Sequence, residues 1–156
     1  IRRQILPLGL QIELQETQPV AYATRRTVSG LENGMLDEDG SWIPMYIANK
    51  GRLPSTNLIV EGWIPREKKR IATLIAKKEN LGSEIEKIFL SSSGALSIET
   101  KALGIIHLGV DRDKFEKQLR AISHLNLLLP NTLLKKEGTN IDLTDPAKPE
   151  LQMKNL

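Results

Sequence analysis

Between Ser83 and Gly109 three strand-like runs follow one another with almost no chain between them. They are "SEIEKIFLSS" over 83–92, "GALSIET" over 94–100 and "ALGIIHLG" over 102–109. Links as short as Ser93-Gly94 and Lys101 predict a meander of antiparallel strands. Amphipathic segments bracket it. "PREKKRIATLIAKKENLG" over 65–82 places Ile71, Leu74, Ile75 and the Lys78 stem on one helical stripe. Pro65 suits a first helical turn and Gly82 a C-terminal stop. "DRDKFEKQLRAISHLNLLL" over 111–129 repeats the pattern with Phe115, Leu119 and Ile122. Asp111 or Asp113 is its candidate cap, with Glu116 three residues after Asp113, and Pro130 ends it.

The chain before the meander also reads as strands. "LQIELQE" over 10–16 alternates strictly, with Leu10, Ile12 and Leu14 on one face and Gln11, Glu13 and Gln15 on the other. Pro19 marks a break, and "VAYATRRTV" over 20–28 follows as a second strand. "GLENGMLDEDGSWIPM" over 30–45 gives two short strands around the turn "DEDG". "PSTNLIVEGWIP" over 54–65 is a buried connector or a short strand. After the second helix only "IDL" over 141–143 has strand character, and Pro146 and Pro149 then punctuate a tail whose composition predicts flexibility. The sum is an α+β fold: a largely antiparallel sheet with two main helices packed on it.

At 156 residues, 40% of them apolar, the chain holds one domain or one domain and a fragment of another. Aromatics are only 4%, so the core must be mostly aliphatic. The net charge of +3, from 22 basic and 19 acidic residues, makes no demand for nucleic acid. The absence of cysteine excludes disulfides, thiolate catalysis and zinc–sulfur sites. No apolar run approaches the roughly 20 residues that cross a bilayer. A start at Ile1, in a basic–apolar pattern without signal-peptide layout, predicts that the chain is part of a longer protein.

A search for chemistry returns bland readings. His107 alternates with Ile106 and Leu108 in a strand, and His124 lies on the second helix; neither has companions spaced as metal ligands. Asp37, Glu38 and Asp39 resemble the start of a calcium loop, but the sixth and twelfth positions hold Trp42 and Ala48 rather than Gly and Glu, so a hairpin turn is the better reading. "SSSG" over 91–94 lacks the surroundings of a nucleophilic serine, and "GIIHLG" over 104–109 lacks those of a phosphate loop. "REKKR" over 66–70, with Lys77 and Lys78, gives the first helix a positive face, read as solvated because Glu67 and Glu79 interrupt it. No catalytic residue, cofactor site or metal site is assigned, which points to binding rather than turnover.

Several stretches, taken in order, resemble the extracytoplasmic part of the FtsQ/DivIB cell-division proteins. "RRQILPLGLQIELQETQPVAYA" over 2–23 looks like the end of that family's POTRA domain. "GMLDEDGSWIP" over 34–44 is similar to its next hairpin. "LSIETKALGIIHLGVDRDKFEKQLRAI" over 96–122 resembles its paired strands, Leu-Gly turn and following helix. "NIDLTD" over 140–145 matches its closing Asp-Leu strand. The resemblance implies the C-terminal part of a POTRA domain at 1–19, a β-domain at 20–145 and a flexible tail at 146–156. It implies a single-pass inner-membrane protein, anchored by an upstream transmembrane helix, whose periplasmic part sits at the division septum. The implied role is a non-enzymatic divisome scaffold, linking septal-ring proteins to septal peptidoglycan synthesis. Implied partners are small coiled-coil subunits, FtsB- and FtsL-like, and other divisome proteins. The departures are Thr17 and Gln18, and Thr144 followed by Asp145-Pro146.

That role directs attention to the closing strand. An edge strand leaves backbone groups to which a partner strand adds. The candidate docking residues are Ile141, Asp142, Leu143, Thr144 and Asp145, with Leu151 and Met153 as apolar anchors. Ile141 and Leu143 are equally well read as core residues, which leaves Asp142 and Thr144 as the better contacts. The alternative is a POTRA-bearing component of an outer-membrane transport or assembly machine, which the N-terminal strands alone also fit. A small enzyme with an unrecognised site is the third reading.

Overall fold

The computed structural model describes residues 2–5, 11–14, 17–128 and 139–153. β1 (Arg2–Ile5) and β2 (Gln11–Leu14) form a two-stranded antiparallel sheet with each other. β3 (Ala21–Thr27), β4 (Gly30–Leu36) and β5 (Trp42–Pro44) lead into a 3-10 segment at Met45–Lys50 and then β6 (Ile59–Glu61). A 3-10 turn at Pro65–Glu67 continues into α1 (Lys68–Ala76). β7 (Ile85–Leu90), β8 (Leu96–Thr100) and β9 (Gly104–Gly109) precede α2 (Phe115–Leu128), β10 (Thr139–Asp142) and β11 (Glu150–Met153).

Nine of these strands make one sheet in the order β11-β10-β9-β8-β7-β6-β3-β4-β5. The meander appears as expected, with β7, β8 and β9 antiparallel neighbours. The segment 54–65 supplies a central strand: β6 lies between β3 and β7, parallel to both. The sheet is therefore α+β and mostly antiparallel, with parallel pairings where a helix or a long loop intervenes. Both helical crossovers, β6-α1-β7 and β9-α2-β10, step the same way between parallel neighbours. Sharing the usual hand, they place both helices on one face.

That face holds the core. Ile71 and Leu74 of α1 and Phe115, Leu119 and Ile122 of α2 pack on Ala21, Val60, Ile88, Ile98, Ile106 and Ile141 of the sheet. The opposite face alternates with it and is half-exposed, as Ser97 and Glu99 between buried Leu96, Ile98 and Thr100 show. The first helix is shorter than its sequence pattern. Its last α-type bond is Lys77 N–H to Thr73 O, a tighter turn follows with Lys78 N–H to Ile75 O, and Ile85 N–H then binds Lys78 O and draws the chain into β7. The acidic turn is a hairpin turn: Asp37 Oδ1 accepts from the N–H groups of Asp39 and Ser41 at 2.9 and 2.8 Å.

The positive face of α1 is not wholly solvated. Glu67 and Arg70 are buried, at 3% and 5% exposure, while Lys68 and Lys69 are exposed. Arg70 Nε donates to Glu67 Oε2 at 2.6 Å, and its other nitrogens donate to Gly94 O at 2.7 Å and Gly109 O at 3.1 Å. Arg112 reaches Glu67 Oε1 at 2.9 Å. One buried pair thus ties α1 to the β7–β8 turn and to the loop entering α2.

Candidate docking edge

The closing corner of the sheet is built by α2. Gln118, fully buried, donates from Nε2 to Leu108 O at 2.6 Å and to Leu143 O at 2.9 Å. It thereby clamps the ends of β9 and β10 beneath the helix. Leu143 N–H donates to His107 O at 2.8 Å and extends the parallel pairing of β10 with β9. The hydrophobic pattern could not show this, because a polar glutamine at the core-facing position of a helix reads as a flaw until its two carbonyl partners are known.

The seven residues singled out in the sequence fall in different places. Ile141 and Leu143 are core, 2% and 0% exposed, so their side chains are closed to a partner. Nor is β10 the edge. It pairs with β9 on one side and with β11 on the other, through Ile141 opposite Leu151 and Asp142 opposite Glu150. The tail expected to be flexible supplies this outer strand. Asp145 Oδ1 accepts from Ala147 N–H at 3.0 Å and Lys148 N–H donates to Asp145 O at 3.1 Å, a turn that sends the chain back along β10. Of the two proposed anchors, Leu151 is 41% exposed on the outer strand, and Met153 pairs through its backbone with Thr139.

Asp142 and Thr144 hold one another. Asp142 Oδ1 accepts from both the N–H and the hydroxyl of Thr144. These bonds, the hydroxyl first, outweigh partial burial and keep the Asp142 carboxyl below its usual range, with a smaller contribution from His107. The Thr144 methyl also lies against Gly109, where a Cβ would come within 2.8 Å of it, and Gly109 takes a φ of +75°. The residue that departs from the family pattern is thus fitted to its neighbours here.

Across the open face, Ser97, His107 and Asp142 occupy one row on adjacent strands. Ser97 Oγ and His107 Nδ1 lie 2.9 Å apart. Asp142 Oδ1 accepts from Thr144, and among the described residues no hydrogen bond joins Asp142 to His107, so the row is a cross-strand polar ladder. On the helix side a groove of about 350 Å³ runs beside the turn, floored by Ala121, Leu125 and Pro146 and rimmed by Lys117 and Arg120.

The two ends of the sheet differ. β5 has only three residues, the last of them Pro44 without an N–H, and it runs straight into the 3-10 segment. β11 has four residues, none of them proline, and it is the terminal strand of the sheet among the described residues. One edge is blunted and the other is available for pairing. Comparison with models of known protein families gives no match, and comparison with curated proteins gives none either.

Proposed function

We propose that this chain is a non-enzymatic scaffold that docks a partner by strand addition at β11, in the manner of the FtsQ/DivIB proteins that its motifs resemble. The observation that carries the reading is the unblunted outer edge of β11, held at fixed register on β10. Backbone groups on that edge give affinity, and the alternating side chains Glu150, Leu151 and Gln152 give selectivity. The partners are FtsB- and FtsL-like single-span coiled-coil subunits, other divisome proteins share the assembly, and the setting is the periplasmic side of the inner membrane at the septum. Relative to the sequence reading, the docking strand moves outward by one, from 141–145 to 150–153.

The test is co-purification of the chain with FtsB-like and FtsL-like subunits, using Leu151→Pro and Gln152→Pro as separate variants. Whichever residue aims its N–H outward should lose the partner when replaced, while circular dichroism stays unchanged. Full retention by both folded variants would overturn the site.

A further inference from the structure

A second site stands inside the same sheet, outside the carboxyl ends of β3 and β6. β3 and β6 are parallel neighbours whose onward connections diverge: β3 turns to β4 on one side, and β6 passes through α1 to β7 on the other. Where the two paths part, the chain leaves a crevice outside the carboxyl ends of the strands. The crevice is present. β6 stops at Glu61 while β3 continues to Thr27 and β7 to Leu90, and a cavity of about 390 Å³ fills the notch. Its volume lies within the range of small-molecule sites.

The lining combines few elements. Trp63, Ile64 and Leu90 give an apolar wall; Arg26 and Ser92 give polar groups. Gly62 makes the notch possible: a Cβ there would lie 2.2 Å from Leu90 O, and its φ of +79° turns the chain out of the sheet. Trp63 is fixed by its Nε1 donating to Gly40 O at 2.8 Å and its backbone N–H donating to Thr24 O at 2.8 Å. Arg66 Nη2 donates to Ser92 O at 3.0 Å and steadies the opposite lip. Arg26 is exposed and has no carboxylate partner among the described residues, in contrast to its neighbour Arg25, which pairs with Glu32 at 2.7 Å. Glu61 precedes Gly62 but is outside the lining.

A guanidinium without a counter-ion selects an anion, and an indole beside aliphatic side chains selects a ring with an apolar face. A serine hydroxyl adds a partner for ring hydroxyls. We infer that this notch binds a carboxylate-bearing sugar ring, with Arg26 on the carboxylate and the Trp63 wall against the ring. The site is independent of the docking reading, since four strands separate β6 from β11.

The experiment titrates the chain with N-acetylmuramate, with N-acetylglucosamine, which has the same ring without the lactyl carboxylate, and with acetate. Amide resonances of Gly62, Ser92 and the Trp63 indole are followed by NMR. N-acetylmuramate should shift all three saturably, and both other probes should bind at least about tenfold more weakly. Arg26→Gln, at an exposed position that leaves the fold intact, should reduce N-acetylmuramate to the level of the neutral sugar. No saturable shift with N-acetylmuramate would overturn the proposal. So would an equal response to either control probe, or undiminished binding by Arg26→Gln.

Discussion

Glu67 shows how far a single side chain can depart from the pattern around it. In "REKKR" it reads as an interruption in a solvated basic face, yet it is buried with Arg70 on one side and Arg112 on the other. Burial alone opposes its ionisation; the hydrogen bonds from Arg70 and Arg112 outweigh that and hold its carboxyl below the usual range. Replacing it by alanine leaves the Arg70 guanidinium buried without its carboxylate. Glu67→Ala should therefore lose about 3 kcal/mol in urea unfolding, the lower end for a broken buried pair because Arg70 keeps its two carbonyls. Arg112→Ala removes a half-exposed arm and should lose under about 1 kcal/mol. A loss below that level for Glu67→Ala would mean that the pair has no structural role. A second carboxylate gives the acid limb. Glu84, between Lys101 and Lys78, is lowered to about 2 by hydrogen bonds from first one and then the other. Its folded value lies below its unfolded one, so its contribution is complete above 4.5 and drains away as the pH falls towards 2. Glu84→Gln should flatten the fall of stability across that window, and an unchanged slope would remove the assignment. The Glu67–Arg70 pair is local, three residues apart, but its burial was not legible, because Gly94, Gly109 and Arg112 lie 24, 39 and 45 residues from the groups they meet.

At the level of elements, the alternating strands were legible, and so were the short strands β5 and β10, but β11 was not. The runs at 85–90, 96–100 and 104–109 carry enough apolar positions to declare one face, and tight links fix their pairing. "ELQM" has too few residues to show a period and lies behind Pro146 and Pro149, so composition points to a mobile tail. What makes it a strand is the ready-made edge of β10, a non-local fact. The same reasoning separates the two closing strands energetically. Ile141 is packed in the core and Leu151 is exposed directly opposite it. Ile141→Ala should cost about 2–5 kcal/mol through transfer and cavity terms. Leu151→Ala should stay within about 0.5 kcal/mol of the parent in the same denaturation series, and still weaken the proposed docking of the coiled-coil subunits. The reverse ranking in stability would show that β11 contributes to the core and β10 does not. Gln118 is the clearest illegible element of the site: its side chain joins two strand ends and a helix, yet nothing in "FEKQLRAI" distinguishes it from a surface residue.

For the whole molecule, the sheet order decides where another chain can be met. One face is closed by both helices, and the β5 end is closed by brevity, Pro44 and the following 3-10 segment. The open face mixes polar Ser97, Glu99, Lys87 and His107 with half-buried Tyr22, Ile59, Phe89 and Ile105. Among the described residues, β11 is the end of the nine-stranded sheet that carries no proline. This has a consequence for truncation. A chain ending at residue 148 lacks β11 but keeps β10, which is still paired with β9, clamped by Gln118 through Leu143 O and anchored by buried Ile141. It should fold with an unchanged far-UV spectrum. Its new edge, however, is the strand β10, whose inner face is apolar and whose outer backbone is bare. Edge-to-edge pairing of two copies is then the cheapest way to satisfy those groups. Sedimentation velocity should show a concentration-dependent dimer for the truncated chain and none for the full chain at the same concentration. Introducing Asn140→Pro into the truncated chain should suppress the dimer if that residue's N–H points outward, and Ile141→Pro should do so if it does not. A truncated chain that stays monomeric would show that β10 does not become a usable edge when β11 is gone, and that β11 is not a guard.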